Sequence, residues 1–307
     1  MKRVIVPCDL GGSPTVCALS RPRRPAQTPD VLEALIPSYA EREGRLEVGF
    51  YRGGIPSDEL FAVARAHPIR LACSPADLDP MRVDDLAARG ITTLELEVCT
   101  TSDRVLWALR RGYDAAHVRL LVAAARNAGL AVGVALMPGL PNHTVDDALD
   151  DARFAGIADF VRIVPALAID GSDLARWAEE GRFQPLDLEA AVAVVTDMVD
   201  IVSSLGTAVA RVGHQPGPDG LGKVVAGPWH PNFRGLVETR RFRRKMEALV
   251  GGVRGAGRIQ LRVHPKDLSW VKGTSNENVR WLREHLEIDE VELAADETVA
   301  RGALALG

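Results

Sequence analysis

Short runs rich in apolar and β-branched residues recur along the chain and are separated by longer stretches of helical periodicity. Arg3 to Pro7, Leu46 to Tyr51, Ile69 to Ser74, Thr93 to Val98, Ala131 to Met137 and Phe160 to Ala166 read as strands, and Ala208 to His214 as a seventh. Between them, Thr28-Pro29-Asp30, Ser57-Asp58-Glu59 and Thr144-Val145-Asp146-Asp147 open helices, while Gly90, Gly129 and Gly206 close others. Strands that alternate with helices have room for crossover connections, which parallel strands require. The pattern therefore predicts a parallel α/β sheet.

Each of these strands runs into a Gly, Pro, Cys or Ser cluster, so the chemically informative residues gather at the carboxyl ends, where α/β barrels place their ligands. A Gly- and Pro-rich loop, 215–231, follows the seventh strand. Beyond it the pattern predicts a basic helix from Phe233 to about Val250, a strand at Ile259 to Val263, a helix from Glu277 to Leu286 and a short strand near Val291. The expected domains are a barrel over 1–214, the loop over 215–231 and a small α/β appendage over 232–307.

Composition narrows this little. The 307 residues are 47% apolar and 25% charged, ordinary for a globular chain. The longest apolar runs, such as Leu130 to Leu136, fall well short of the roughly 20 residues a membrane helix needs, so no membrane is expected as a partner. A net charge of -4 argues against nucleic acid and for a small-molecule substrate. Four cysteines, Cys8, Cys17, Cys73 and Cys99, are too few for a disulfide framework and suit a reducing cytoplasm. Oligomeric state is not legible.

Glu47-Val48-Gly49-Phe50-Tyr51-Arg52-Gly53-Gly54, Arg111-Gly112-Tyr113, Met137-Pro138-Gly139-Leu140-Pro141, Arg162-Ile163-Val164-Pro165 and Ala226-Gly227-Pro228-Trp229-His230-Pro231 occur in that order, with Pro265-Lys266-Asp267-Leu268-Ser269 and Asn276-Glu277-Asn278 after them. Together these segments resemble bacterial radical S-adenosylmethionine (SAM) proteins related to the catalytic subunit of Elongator. The resemblance implies a partial (β/α)6 TIM-like barrel that binds SAM at the carboxyl ends of its strands. It also implies a C-x3-C-x2-C loop after the first strand, whose thiolates hold a [4Fe-4S] cluster. The aligned loop here is Gly12-Ser13-Pro14-Thr15-Val16-Cys17-Ala18-Leu19-Ser20, in which only the middle cysteine stands. Serine hydroxyls are hard and remain protonated, so the loop argues against a [4Fe-4S] cluster, and no metal ligands are assigned. Cys8 and Cys99 could join Cys17 in a rebuilt ligand set, although buried cysteine is commonly a small hydrophobe.

What the resemblance implies for the site falls on Tyr51, Gly53, Gly54, Met137, Gly139, Arg162 and Pro165 as SAM-binding positions, with Gly53 and Gly54 admitting the ligand to the backbone. On the fourth strand Glu95, Glu97 and Cys99 share one face by alternation, and Glu95 and Cys99 join the cofactor-binding set. Glu97 is a candidate general base or ammonium ligand, or else an outward salt-bridge partner of a helix arginine. Arg162 would pair with a SAM carboxylate or with Glu95 or Glu97 in the core. Cys17 is a candidate nucleophile if nearby cations lower its pKa. His143 reads as a solvated helix-entry residue, His214-Gln215 as a closing segment, and the run Arg240 to Lys245 as a solvated helix face. The expected function is SAM-dependent group transfer or cyclisation without a cluster, in a biosynthetic setting. The alternatives are a non-catalytic partner subunit and a radical SAM enzyme with unusual or mutated cluster ligands.

Overall fold

The structure is a computed structural model and describes residues 3–10, 26–40, 44–51, 53–214, 222–250, 257–287 and 289–307. Its strands are β1 (Arg3–Asp9), β2 (Arg45–Tyr51), β3 (Ile69–Cys73), β4 (Ile91–Cys99), β5 (Ala131–Leu136), β6 (Phe160–Ile163), β7 (Ala168–Ile169), β8 (Ala208–Val212), β9 (Val224–Ala226), β10 (Arg258–Val263), β11 (Glu290–Ala295) and β12 (Leu304–Leu306). Seven of them form one sheet in the order β1-β2-β3-β4-β5-β6-β8, parallel at every pairing. This is a curled parallel half-barrel of the partial TIM type: the alternation of strands and helices predicts its parallel sheet, and the resemblance implies its barrel.

Period two sorts each strand. On β4, Leu94, Leu96 and Val98 alternate with Thr93, Glu95 and Glu97, and on β3, Ile69, Leu71 and Cys73 alternate with Arg70 and Ala72. The apolar set meets the helices, as where Phe50 of β2 lies 5.9 Å from the ring of Phe61 on the helix Asp58–Ala64. Each such side chain, buried outright, contributes on the order of 1.5–3 kcal/mol. The helix starts fall where the capping residues predict them. Ser57 accepts from the Leu60 amide, and Thr144 forms a reciprocal capping box with Asp147.

Two departures from the sequence pattern bear on the site. The sixth strand ends at Ile163 rather than Ala166, because Pro165 has no N–H to continue the ladder. The chain then forms β7, which pairs antiparallel with β9 inside the segment expected to be an irregular loop. On β4, pairing with β5 slips between Leu96 and Cys99, and Cys99 adopts a left-handed backbone, φ 63°.

The chain divides into two compact units, Met1–Trp229 and His230–Gly307. In the second, β10 lies between β11 and β12, and Phe242 and Met246 of the helix Phe233–Val250 bury against Leu261, Val263 and Leu282. The basic run on that helix is half-buried rather than solvated. Arg241 donates to Glu238 at 2.9 Å, Arg243 donates to Asn278 Oδ1 at 2.9 Å, and Lys245 donates to the Gly302 carbonyl. No helix among the described residues is long and apolar enough to cross a membrane.

Gly133 of β5 supplies a sharp test of the barrel interior, since a Cβ there would meet the Phe160 ring at 2.2 Å. Gly133→Ala is expected to cost about 1–3 kcal/mol through overpacking. Urea denaturation should show a lower midpoint at an unchanged slope, and a wild-type midpoint would mean that Phe160 does not fill this face.

Candidate functional site

The concave face carries a run of charge of alternating sign. Glu47 on β2 accepts from Arg70 on β3, at 3.3 Å from Nε and 3.2 Å from Nη2. Arg70 Nη1 reaches Glu95 Oε2 on β4 at 3.1 Å, and Arg162 Nη1 on β6 lies 2.7 Å from Glu95 Oε1. Thr93 donates to the second Glu47 oxygen at 3.3 Å. Two carboxylates and two guanidinium groups cancel, which is what permits Glu95 to sit at 0% exposure. Arg162 thus adopts the core pairing with Glu95, while its side chain remains 18% exposed. Burial alone would lower the Arg162 pKa, but Glu95, Tyr51 and Glu97 outweigh it and hold the group charged.

Tyr51, at the end of β2, folds back over Gly49, where a Cβ would meet its ring at 2.6 Å. Burial, then the Glu95 carboxylate, push its phenol above the usual value against the pull of Arg162 and Arg70. It therefore stays protonated at neutral pH and can donate a hydrogen bond. Gly53 is required sterically, because a Cβ there would lie 2.4 Å from Leu10, whereas Gly54 has only Asp77 at 4.0 Å. Glu97 is half-buried two residues beyond Glu95, inside the field of Arg162 and Arg111.

At the rim itself, Cys99 is buried with Sγ 3.8 Å from the Glu97 carbonyl, and its own carbonyl accepts from the Met137 amide at 2.7 Å. Tyr113 donates to the Val98 carbonyl at 2.8 Å. Arg111 is held more firmly protonated than usual, chiefly by Cys99. Met137 packs with Cys99, Leu140, Ala166 and Leu174 in an apolar cluster over this end of the sheet. Gly139 takes φ 82°, and a Cβ there would press on Leu186 at 2.9 Å, so glycine is needed twice over. The Pro165 carbonyl accepts from His214 Nε2 at 2.6 Å, which commits that histidine to bracing the β6 loop.

Cys17 and the rest of its loop, like Arg52 and Gln215, lie outside the described residues. The described thiols, Cys8, Cys73 and Cys99, are all buried. Cys8 is pushed up to about 11 by burial and then by Asp9, and Cys73 is raised well above its usual value by burial and then Glu97. Among the described residues no group of three His, Cys, Asp or Glu is arranged to hold a metal ion. These residues alone do not fit an iron–sulfur cluster. An open-mouthed cavity of about 140 Å³, lined by Arg45, Glu47, Thr92 and Thr93 among others, lies at the amino ends of the strands, the opposite end from this rim.

Alternation within the fourth strand pointed to Glu95 and Glu97, and the family resemblance to Tyr51 and Arg162; the structure brings all four onto one face. Neither singled out Arg70 or Asp151, nor the burial of His143, whose side chain is 1% exposed rather than solvated. A cation inside the apolar run Ile69-Arg70-Leu71-Ala72-Cys73 was the available signal for Arg70.

A curled parallel half-barrel of the partial TIM type is the fold of radical SAM proteins. The Radical SAM superfamily model matches residues 11–155, and the Radical_SAM C-terminal domain matches 158–243. The chain belongs to the radical SAM superfamily and is related to the catalytic subunit of Elongator. It is 27% identical over 121 residues to a tRNA uridine(34) acetyltransferase of Methanocaldococcus infernus, a match that covers 37% of this chain and 22% of the relative. A similar protein of Dehalococcoides mccartyi is 28% identical over 120 residues, again 37% of this chain and 26% of the relative. The matched segment thus spans about a quarter or less of these relatives. Among solved structures, Elp3 of Methanocaldococcus infernus with an N-terminal deletion superposes with a TM-score of 0.58 at 16% identity, over 82% of this chain and 64% of that one. TsrM from Kitasatospora setae, described with cobalamin and a [4Fe-4S] cluster bound, gives 0.44 at 14% identity, over 59% of this chain and 39% of that one.

The family match corrects the cofactor expectation. The superfamily model runs through the cysteine loop itself, from residue 11, so the reading of that loop as arguing against a [4Fe-4S] cluster is overturned. The cluster belongs with SAM among the cofactors the family brings.

The charge ladder predicts an asymmetry. Arg70→Ala leaves the Glu47 and Glu95 carboxylates to share one cation of the ladder, Arg162, and should cost about 3–5 kcal/mol, whereas removing both charges of a pair together in Arg70→Met/Glu47→Gln should cost less. Chemical denaturation of both variants checks this, and equal losses would refute a paired network. Cys8 supplies a pH test. Its folded-state value of about 11 lies above the ordinary 9.0, so its contribution is complete below pH 9 and is lost as pH rises toward 11. Cys8→Ala should flatten the decline of stability over that window.

Proposed function

We propose that the chain is an enzyme that binds SAM at the carboxyl rim of its half-barrel and transfers or cyclises a group from it, by a non-radical route, on a small-molecule substrate. The observation that carries this reading is that Arg162, which closes the upper edge of a ladder whose charges balance internally, has both Tyr51 and Glu97 in its field. Arg162 spends one edge on Glu95 and has donors to spare for a ligand carboxylate. Tyr51, kept protonated, supplies a hydroxyl donor. Gly139 and the Met137–Leu140 cluster form an apolar, tightly turned wall suited to an adenine ring.

The sulfonium of SAM is an electrophile at each carbon bound to sulfur. A substrate nucleophile attacks one of these, the C–S pair returns to sulfur as a thioether, and Glu97 is the base placed to take the released proton. A [4Fe-4S] cluster, when bound, supplies a coordination site and an electron for SAM. The named substrate of the acetyltransferase relatives is tRNA. Here Arg241, Arg243 and Lys245 of the basic run are engaged within their own unit, which favours a small molecule.

Isothermal titration with SAM, on protein as purified and after anaerobic iron reconstitution, tests the reading. Micromolar binding is expected, weakened about tenfold or more in Arg162→Met. Mass spectrometry of the ligand then identifies the bond broken, and a thioether product of SAM rather than 5′-deoxyadenosine marks the non-radical route. Failure to bind SAM in both preparations would overturn the proposal.

A further inference from the structure

His143 and Asp151 form a buried pair, each side chain 1% exposed, with His143 Nε2 3.0 Å from Asp151 Oδ2. The other carboxylate oxygen, Oδ1, accepts from Thr100 Oγ1 at 3.1 Å, from the Thr101 amide at 2.6 Å and from Thr101 Oγ1 at 2.7 Å. On its far side His143 Nδ1 accepts from the Gly139 amide at 3.4 Å. One side chain on the helix Val145–Phe154 therefore ties the end of β4 to the turn after β5. Arg104 closes the same turn from outside, donating to the Asn142 carbonyl at 2.9 Å and to Asp147 at 2.7 Å.

The donors settle the tautomer. Gly139 N–H can only donate, so Nδ1 must be bare; Asp151 offers acceptors, so Nε2 must carry the proton. We infer that His143 and Asp151 are positioning residues, which hold the Gly139–Asn142 turn in its ligand-ready conformation through a neutral Nε2–H imidazole. The turn carries two left-handed residues, Gly139 at φ 82° and Asn142 at φ 62°; glycine takes this region and several others with equal ease, so bonds from outside the turn are what select one conformation. The inference rests on the proposed SAM site for its consequence, but its geometry is independent of it.

The pair also predicts which substitutions are tolerated. A glutamine amide has its oxygen and nitrogen spaced like the two ring nitrogens, so His143→Gln can accept from Gly139 and donate to Asp151 together. His143→Leu fills the volume and does neither. In Asp151→Asn, the three donors at Oδ1 require oxygen there, so the amide NH2 faces His143. That forces the imidazole to carry its proton on Nδ1, against the Gly139 N–H.

Hydrogen exchange at Gly139 in the protein without ligand reads the turn directly, and 15N shifts of His143 read the tautomer. Exchange should rise about tenfold or more in Asp151→Asn and His143→Leu, and stay within about twofold in His143→Gln. The imidazole should be the Nε2–H form in the wild type and the Nδ1–H form in Asp151→Asn. Circular dichroism melts confirm that each variant is folded. An imidazolium or Nδ1–H wild type, or Gly139 exchange unchanged in both disruptive variants, would overturn the inference. SAM affinity should fall about tenfold in those two variants and recover in His143→Gln, and unchanged affinity with a loosened turn would equally overturn it. A wild type that binds no SAM would remove the proposed function and leave the positioning role to be judged on exchange and tautomer alone.

Discussion

Everything on the concave face is arranged around the pairing of Arg70 with Glu47 and Glu95. An ionised carboxylate withdrawn from water is very costly, and only a partner of opposite sign in good geometry makes it tolerable. Arg70 answers two carboxylates from one position in β3, and Arg162 completes the balance from β6. The ladder therefore links four strands through their side chains, in addition to their backbone bonds. It also sets the depth of the site, because polar groups below it are consumed and those at its upper edge are the ones a ligand could meet.

This arrangement explains how a face so rich in charge coexists with a well-packed sheet. The opposite face of each strand is apolar without interruption, from Val48 and Phe50 through Leu94 and Leu96 to Val161 and Ile163, so helix packing is independent of the chemistry within. Small residues do the remaining work inside. Gly133 makes room for the Phe160 ring, over which Arg70 lies at 5.0 Å, and Gly49 makes room for Tyr51. Glycine on the inward face is thus a statement about the size of its neighbours.

Periodicity made the architecture legible because the strands are short, apolar on one side and punctuated by caps such as Thr144 and Ser57. The carboxylates on β4 were legible for the same reason, since alternation puts Glu95 and Glu97 on one face. Of their partners, Arg162 was legible as a core pairing for Glu95 or Glu97, which is the one it makes. Glu47 and Arg70 were not, because they are far apart in sequence and only strand order makes them neighbours. His143 is the clearest instance: next to a helix cap it has the local signature of an exposed residue, and its burial depends on Asp151 eight positions on and on the threonines just past the end of β4. Pro165 was in view, yet its effect on β6 was not drawn, although a proline without an N–H had to end the ladder there.

The irregular backbone of the first unit's rim concentrates at the ends of β4 and β5. Cys99 is left-handed beside a register slip, and Gly139 and Asn142 are left-handed in the turn that follows β5. Regular sheet would carry Cys99 straight on toward Thr100; instead the chain bends so that the Cys99 carbonyl receives the Met137 amide and Thr100 and Thr101 turn toward Asp151. Strain of this kind costs of order 1–3 kcal/mol per residue and must be imposed by surrounding bonds. The buried Asp151 and the apolar cluster of Met137, Leu140 and Leu174 supply them. A rim whose shape is enforced from beneath is one whose cavity does not have to be organised by the ligand, and pre-organisation of that kind is what converts contacts into affinity.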